Sequence, residues 1–278
     1  MGREIWDEIP RSDLALERRR ADTELVGVRL ERMRSAIGHW ERLSITDEEA
    51  AESVGRPIGH YDTLSVGRMD RLDGDRIEDA ADEVARQLCL MCEGMGVYPE
   101  RILAVGLGNR SLTPDSTGPK TVSRVEATLH LCQYERELFD GLECSQIATL
   151  EPGVTANTGI DSRETVLGVC NRIRPDLVIA VDSITATDPE RLGSTIQFSD
   201  TGIRPGSGMG RCRGAIDRDY LGIPVLAVGV PTVIDLRHLC QRRDVRDMFV
   251  SPKDIDKIVD SASRIISGGI NQAFGIFC

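Results

Sequence analysis

Long hydrophobic runs are missing from this sequence of 278 residues. Its apolar stretches are short, such as Leu177–Val181, whereas a transmembrane helix needs roughly 18 or more consecutive apolar residues. The N-terminus carries charged residues, including Arg3, Glu4 and Asp7, where a secretory signal would have its apolar core. We therefore expect neither export nor a membrane partner, and we predict a cytoplasmic location.

Basic and aromatic residues are also in short supply. The 45 acidic residues outnumber the 34 basic ones and give a formal net charge of -11. A protein that coats DNA or RNA relies on a positive surface to attract phosphates, so this balance argues against such a protein. The aromatic fraction of 4% leaves few rings on which single-stranded bases could stack. We expect no direct nucleic-acid partner.

A second pair of closely spaced cysteines is missing as well. The chain has eight cysteines, but only Cys89 and Cys92 form a Cys-x-x-Cys pair, and no second pair or nearby histidine completes a four-ligand zinc site. Without an export signal, a disulfide framework is not favoured either. We predict reduced, mostly buried thiols, no metal site and no other cofactor.

What the chain does contain is an alternation of short apolar strands with amphipathic helices. Continuous β-branched runs are typical of parallel strands that are buried on both faces. The sequence therefore predicts an α/β fold with three layers, in which a mostly parallel sheet carries helices on both faces. An apolar stripe at helical spacing also predicts a helix over residues 21–38. The main predicted strands are Arg101–Gly106, Leu177–Val181 and Val225–Val230, and the main predicted helices are Ile77–Met95, Ser162–Ile173 and Asp254–Ile266, the last closed by Gly268-Gly269.

Two aspartates follow predicted strands, where the active groups of parallel sheets gather. Asp182 ends a run of five apolar residues, so burial should raise its pKa, although it could equally cap a following helix. Asp115 lies in the loop after the strand Arg101–Gly106 and could instead be a turn residue. If the two carboxyl groups share a proton, one can activate water while the other polarises a carbonyl group. That chemistry hydrolyses a peptide bond without a covalent intermediate.

Other motifs fit less well. Gly106-x-Gly108 follows a strand, but Ser111 replaces the third glycine of a dinucleotide-binding loop. The glycines of 206–210 lack the Lys-Ser/Thr ending of a phosphate-binding loop, and no Gly-x-Ser-x-Gly elbow is present. Asp200-Thr-Gly matches the tripeptide of pepsin-like proteases, which are all-β proteins, so we expect Asp200, together with Asn109, only to shape or bind the substrate.

Blocks along nearly the whole chain resemble the spore germination protease family. The resemblance implies an atypical aspartic peptidase that degrades small acid-soluble spore proteins, with a fold related to hydrogenase maturation endopeptidases. It places the two proposed catalytic residues at Asp115 and Asp182, and it implies a homotetramer in the spore core. The blocks are RSDLALE (11–17), GRPIGHY (55–61), GLGNRSLTPDSTGPKTV (106–122), PGVTANTGIDSRETVLGV (152–169), RPDLVIAVDSI (174–184), TIQFSDTGIRPGSGMG (195–210), LGIPVLAVGVPTVID (221–235) and FVSPKDIDKIVDSASRIISGGIN (249–271).

The resemblance also implies a zymogen that cleaves itself. The sequence from Ser12 to Glu17 is similar to the cleavage sequences of the family's substrates, which predicts cleavage between Asp13 and Leu14. Residues 1–13 would then be a propeptide and residues 14–278 a single α/β peptidase domain. The alternative is that Ser12 or Asp13 simply caps the next helix. If the two carboxyl groups must hold one proton between them, self-cleavage should depend on pH.

Two other functions remain open from the sequence. The first is a non-catalytic relative of the same fold, in which Asp115 and Asp182 are structural. The second is a metal-dependent maturation peptidase, because the related hydrogenase enzymes use acidic residues at these two positions as metal ligands. Their third ligand is a histidine that has no obvious counterpart here, so the prediction of no metal stands.

Overall fold

The fold is described from a computed structural model of the chain, which covers residues 12–18, 26–206, 214–240 and 248–275. The strands are β1 (Val28–Arg34), β2 (His39–Ile45), β3 (Gly59–Ser65), β4 (Arg101–Gly106), β5 (Gln146–Leu150), β6 (Leu177–Ala186), β7 (Thr195–Ser199), β8 (Val225–Asp235) and β9 (Phe249–Val250). The helices are α1 (Ala15–Arg18), α2 (Glu48–Val54), α3 (Gly74–Gly94), α4 (Thr117–Val122), α5 (Leu129–Tyr134), α6 (Arg136–Asp140), α7 (Thr155–Thr158), α8 (Ser162–Ile173), α9 (Arg218–Leu221), α10 (Leu236–Cys240) and α11 (Ile255–Phe274). Short 3₁₀ turns lie at Met69–Arg71, Thr113–Asp115 and Pro189–Arg191.

The strands of the described residues form one mixed sheet in the order β1-β2-β3-β7-β8-β6-β4-β5, with β9 also beside β8. Three pairings, which join β5, β4, β6 and β8, are parallel, and we call these strands the parallel half. The other five pairings are antiparallel, and β1, β2, β3 and β7 form the antiparallel half. The α/β class is confirmed, but the expectation of a mostly parallel sheet is wrong. Short connections such as the β1–β2 turn, closed by the hydrogen bond from Ser35 N to Gly38 O, allow only antiparallel neighbours.

Helices cover both faces of the sheet, as predicted. On one face, α3 and α11 pack Leu88 and Ile266 over strand residues such as Ile179. On the other face, α8 packs Val166 over Val178. The alternation of side chains along each strand explains why both sides of the parallel half are apolar. Within the described ranges, none of the helices is long and apolar enough to cross a membrane.

The predicted helix over residues 21–38 is wrong, because its described part is the strand β1. Residues 19–25 lie outside the described part of the chain. Val28 pairs with Ile45 in the antiparallel ladder between β1 and β2. Val28 and Leu30 are two residues apart, and both pack against the apolar cluster that contains Leu43. Pairing with β2 supplies the backbone hydrogen bonds, so the two-residue alternation prevails over the helical spacing.

The glycine pair at 268–269 lies inside α11 and does not end it, contrary to the prediction. A β-carbon at Gly269 would lie 2.3 Å from Val84 Cγ1, and one at Gly268 would lie 2.9 Å from Ala81 Cβ. These glycines therefore allow α11 to approach α3 closely, at a cost in helix propensity of roughly 1 kcal/mol each. Close packing of two helices, and not chain termination, accounts for the pair.

Six of the eight cysteines lie in the described residues, and all six are free thiols. Cys92 and Cys170 are buried, while Cys89 and Cys240 are exposed and the remaining two are half-buried. The expectation of mostly buried thiols is therefore wrong for this set. Burial raises the pKa of the Cys92 thiol to about 12, which makes it unreactive at neutral pH.

Candidate active site

Asp182 lies within β6, not at its end. The strand continues to Ala186 and pairs with β8, whereas the neighbouring β4 stops at Gly106, opposite Val181. Asp182 therefore stands one residue beyond the end of β4, on the face opposite to α3 and α11. Its Oδ1 accepts a hydrogen bond from Ser183 N at 2.8 Å. This position rules out the alternative in which Asp182 caps a helix.

The surroundings of the Asp182 carboxyl group favour its protonated form. Asp182 is only 6% exposed. Burial raises its pKa well above the usual value, and the nearby charges of Asp115 and Asp13 raise it further. Asp182 thus keeps its proton at pH values at which an exposed aspartate has lost it. Of these two charges, that of Asp115 acts more strongly on Asp182 than that of Asp13 does.

Asp115 is positioned by the loop that follows β4. Its Oδ2 accepts a hydrogen bond from Asn109 N at 3.0 Å, and its carbonyl oxygen accepts one from the same nitrogen at 2.9 Å. Gly108 has φ +109°, and a β-carbon there would lie 2.1 Å from the Asp115 carbonyl oxygen. Asn109 therefore contributes its backbone N–H to Asp115, while its Oδ1 accepts a hydrogen bond from Ser111 N at 3.0 Å.

The start of α4 joins this loop to β6. A β-carbon at Gly118 would lie 2.4 Å from the Val181 carbonyl oxygen, so only glycine lets α4 come this close. Next to it, Ser183 Oγ donates a hydrogen bond to Thr117 Oγ1 at 2.8 Å. These contacts bring the Asp115 loop to the strand that carries Asp182. Neither Thr117 nor Ser183 was identified from the sequence, where they are ordinary small polar residues.

The N-terminal segment, residues 12–18, lies along the part of β6 that follows Asp182. Asp13 N donates to the Thr185 carbonyl oxygen at 2.9 Å, and Asp13 Oδ2 accepts from Thr185 N at 3.0 Å and from Thr185 Oγ1 at 2.9 Å. Leu14 is fully buried in a cluster with Ile184 and Ala186. The segment is therefore seated in the fold by both main-chain and side-chain contacts.

Gln197 of β7 holds the backbone on both sides of the Asp13–Leu14 peptide bond. Its Nε2 donates to the Asp13 carbonyl oxygen at 3.3 Å, and its Oε1 accepts from Ala15 N at 2.8 Å. Arg56 adds a hydrogen bond from Nη2 to the Ser12 carbonyl oxygen at 3.2 Å. Sequence analysis missed both residues. Gln197 could have been suspected, because it is the polar residue between Ile196 and Phe198 in a buried strand.

Gly229 of β8 lies between Asp182 and Gln197. Both residues pair with it, one from each side, so all three point to the same face of the sheet. Adjacent strands lie about 4.8 Å apart, which sets the two backbones roughly 10 Å apart. The side chain of Ile184 lies over the glycine, where a β-carbon would meet it at 2.8 Å. A cavity of about 30 Å³ lies here, lined in part by Asp13, Asp182 and Gln197. That volume is enough for a water molecule.

Asp200 lies apart from the two carboxyl groups. Its Oδ1 accepts a hydrogen bond from His60 N at 2.8 Å, and its Oδ2 lies 2.7 Å from His60 Nδ1. The neighbouring Gly202 and Gly206 do line the cavity, so Asp200 fixes the start of a loop that borders the site. The remainder of that loop, 207–210, lies outside the described residues. Within the described ranges, no group of three or more acidic, histidine or cysteine side chains is arranged to hold a metal ion.

Comparisons of the sequence with known proteins agree on one family. A model of the family described as germination protease matches residues 9–243. The germination protease of Caldanaerobacter subterraneus is 33% identical, covering 95% of this chain and 93% of the relative. That of Clostridium perfringens is 33% identical over 95% and 94%, respectively. Among solved structures, the [NiFe] hydrogenase maturation protease HycI from Thermococcus kodakarensis is similar, with 18% identity, a TM-score of 0.37 and coverage of 63% of this chain and 94% of that one.

Proposed function

This chain belongs to the germination protease family and is therefore an endopeptidase of spore germination; we propose that it first cuts its own Asp13–Leu14 bond. The observation that carries this proposal is the position of that peptide bond in the structure. Gln197 hydrogen-bonds the Asp13 carbonyl oxygen, and Asp182 lines the same cavity as Asp13. Capping of a helix by Ser12 or Asp13 does not require Asp13 to line the same cavity as the buried carboxyl group of Asp182.

Asp182 and Asp115 divide the acid and base roles between them. Asp182 is the acid, because burial and the charge of Asp115 raise its pKa. Asp115 is the base, because its Oδ2 accepts a backbone N–H bond that stabilises the charged form. The pair then holds one proton between two carboxyl groups, which is the condition for hydrolysis without a covalent intermediate.

The reaction proceeds in two steps. Asp115 takes a proton from water while the water oxygen attacks the carbonyl carbon of Asp13, and Asp182 gives its proton to the carbonyl oxygen. The resulting diol collapses and the C–N bond breaks. Leu14 nitrogen takes the proton held by Asp115, and a hydroxyl proton of the diol returns to Asp182. The products are a new carboxyl terminus at Asp13 and a new amino terminus at Leu14.

The same site then acts on other proteins. We carry forward small acid-soluble spore proteins as the substrates, the spore core as the location and a homotetramer as the working assembly, all three on the family resemblance. On this view residues 1–13 are the propeptide and residues 14–278 the peptidase domain. No cofactor is required by the proposed chemistry.

The test follows the N-terminus of the purified full-length chain. Wild type, Asp115→Asn and Asp182→Asn are incubated and analysed by intact mass and N-terminal sequencing. We expect wild type to yield a chain that begins at Leu14, and both variants to cleave at least a thousandfold more slowly, because each substitution removes one half of the acid–base pair. Asp140→Asn, at an exposed aspartate of α6, is the matched control and should cleave at nearly the wild-type rate.

Three outcomes would contradict the proposal. A wild-type product that begins at another residue would reject Asp13–Leu14 as the processing site. Folded Asp115→Asn and Asp182→Asn variants that still cleave would reject the carboxyl pair. Wild type that cleaves neither itself nor a small acid-soluble spore protein would favour the non-catalytic relative.

A further inference from the structure

Thr232 of β8 is an extra residue in the ladder between β8 and β6. Ile184 of β6 pairs with Pro231, and the next residue, Thr185, pairs with Val233, so the register passes over Thr232. Such a bulge bends the strand and re-aims a side chain, and it is rare between parallel strands. Bulges are also frequent next to active sites. The side chain of Thr232 is thus released from the regular alternation along β8.

The Thr232 hydroxyl group reaches the turn that carries Asp115. Thr232 is fully buried, and its Oγ1 donates a hydrogen bond to the Pro114 carbonyl oxygen at 2.6 Å. Pro114 is the middle residue of the 3₁₀ turn Thr113–Asp115, so it directly precedes Asp115. A buried hydroxyl group that lost its partner would cost free energy, which favours the arrangement in which the turn lies against β8.

This bond differs from the contacts between Asp115 and its own loop. Asn109 lies six residues before Asp115, so its N–H holds the turn to the rest of the loop but not to the sheet. Two hydroxyl bonds instead join the loop to the sheet. Thr232 of β8 holds the residue before Asp115, and Ser183 of β6 holds Thr117, two residues after it. Because β8 and β6 are neighbouring strands, the two bonds fix the turn from both sides of Asp115.

We propose that Thr232 is a positioning residue, which holds the Asp115 carboxyl group at its working distance from Asp182. This inference rests on the proposed function, because it takes Asp115 as the base that activates water. A base must lie within hydrogen-bond reach of the proton that it removes. A misplacement of about 1 Å can slow catalysis roughly 100-fold. Thr232 acts through the turn and does not itself take part in the reaction.

Displacement of Asp115 should also be visible in the ionisation of Asp182. Burial raises the pKa of Asp182, and the charges of Asp115 and then Asp13 raise it further. If the turn moves away from β8, the charge of Asp115 acts on Asp182 less strongly, and this pKa falls. The alkaline limb of the pH profile for self-cleavage then moves to lower pH. A residue needed only for stability would not shift that limb.

The experiment follows self-cleavage of the full-length chain as a single-turnover rate over a range of pH. Thr232→Val removes the hydroxyl group and keeps the shape of the side chain, whereas Thr232→Ser keeps the hydroxyl group. We expect Thr232→Val to cleave about ten- to a hundredfold more slowly, with its alkaline limb at lower pH. Thr232→Ser should cleave within about fivefold of the wild-type rate, with the limb in its original place.

Thr128→Val is the matched control. Thr128 is also fully buried, and its Oγ1 donates a hydrogen bond to the Ser145 carbonyl oxygen at 2.6 Å. It lies beside the start of β5, at the end of the parallel strands opposite to the Asp115 loop. We expect Thr128→Val to lower the midpoint of urea unfolding at least as much as Thr232→Val does, because its hydroxyl group also accepts a bond from Ile147 N. Its cleavage rate in the folded chain should stay within about twofold of wild type, with the alkaline limb unchanged.

A second measurement does not depend on cleavage. The N–H of Asn109 donates to both the carbonyl oxygen and Oδ2 of Asp115, so its hydrogen exchange reports on the turn. The exchange is followed in the uncleaved Asp182→Asn chain, with and without Thr232→Val. A turn that is no longer held against β8 opens more often, so we expect the Asn109 amide to exchange roughly tenfold faster or more. The amide of Val178, in β6, serves as an internal reference and should not change.

These results separate the failure of the inference from the failure of the proposed function. A Thr232→Val rate close to that of wild type, or an alkaline limb that stays in place, would overturn the inference and leave the peptidase intact. So would a loss of activity that Thr232→Ser does not restore, or an equal loss in folded Thr128→Val. If wild type does not cleave itself, the proposed function fails, and unchanged exchange of the Asn109 amide in Thr232→Val would then overturn the inference as well.

Discussion

The parallel half and the antiparallel half of the sheet meet where β8 pairs with β7, and the candidate site lies across that junction. The parallel half supplies Asp182 from β6 and Asp115 from the loop after β4. The antiparallel half supplies Gln197 from β7, and Arg56 precedes its strand β3. Between them lies Gly229 of β8, which lines the cavity together with Ile184.

The two halves differ in what they contribute. On the parallel side the groups are two carboxyl groups, and that of Asp182 is buried, so it retains its proton more readily than an exposed aspartate does. On the antiparallel side the groups are an amide and a guanidinium, which donate hydrogen bonds to the backbone of the bound segment. The comparison suggests that acid–base chemistry comes from one half, while the other half holds and polarises the peptide. The predictions below test that division.

Among the changes that test this division between the two halves, the largest effect is expected at Gln197. Gln197→Met keeps a similar shape but removes the hydrogen bond to the Asp13 carbonyl oxygen and the one from Ala15 N. Loss of a donor at a reacting carbonyl oxygen typically slows catalysis by roughly 100-fold or more. We therefore expect self-cleavage to slow about 100-fold, measured as the single-turnover rate at which the Leu14 terminus appears, with kcat for a peptide substrate reduced as well.

Gln87→Met is the matched control for this change. Gln87 of α3 is also buried, and its amide hydrogen-bonds Asp62 of β3 on the opposite face of the antiparallel half. Its loss should lower stability and leave cleavage by the folded chain within twofold of wild type. If Gln197→Met raised KM alone and left kcat unchanged, the antiparallel half would bind the peptide but would not polarise it. That result would contradict the role assigned to this half.

The rate of self-cleavage is expected to change about tenfold per pH unit where ionisation of Asp182 limits it. Cleavage requires its protonated form, so on the alkaline side the rate should fall about tenfold per unit as the pH rises above its raised pKa. Asp13 contributes to that raised pKa through its charge. Asp13→Asn should therefore shift the alkaline limb of the self-cleavage profile to lower pH, since a neutral neighbour no longer opposes ionisation of Asp182.

The control for the pH profile is Asp200→Asn. Asp200 is paired with His60 outside the cavity lining, so its removal should leave the limb where it is. An alkaline limb that stays fixed in Asp13→Asn, or one that moves upward, would contradict the assignment of this limb to Asp182.

Much of the parallel half was predictable from the sequence, because its strands are continuous apolar runs. Arg101–Gly106 was predicted with its observed bounds, as was the helix Ser162–Ile173. In the antiparallel half β1 was predicted as part of a helix, since it alternates charged and apolar residues at a spacing that also fits a helix. Its structure depends on pairing with β2, which local sequence does not report.

The site residues of the parallel half were also easier to predict from the sequence than those of the antiparallel half. Asp115 and Asp182 were selected because carboxylates after apolar strands carry a local signal. Gln197 and Arg56 become relevant only when β7 and the approach to β3 are brought beside the N-terminal segment. Thr185 was hidden because β6 was predicted to end at Val181, four residues before it. Contacts between distant parts of the chain are what the sequence could not supply.

The smallest effect is expected in the layer on the face of the sheet opposite to Asp182. Gly269→Ala places a methyl group 2.3 Å from Val84 Cγ1, so α3 and α11 must move apart. Overpacking of this kind costs about 1–3 kcal/mol, which exceeds the gain of up to about 1 kcal/mol in helix propensity. We expect a lower midpoint of urea unfolding and a cleavage rate for the folded chain within twofold of wild type.

Gly168→Ala in α8 is the matched control, because it gains helix propensity without the cost of overpacking. Gly168 is exposed, and no atom lies within 4 Å of the position that its β-carbon would take. The same substitution should therefore stabilise the protein by up to about 1 kcal/mol, because only the helix propensity changes. Equal shifts of both variants in one direction would show that close approach of α3 and α11 does not explain the glycine pair. A loss of cleavage in folded Gly269→Ala would instead show that the helices behind the sheet also position the Asp115 loop, which α11 contacts.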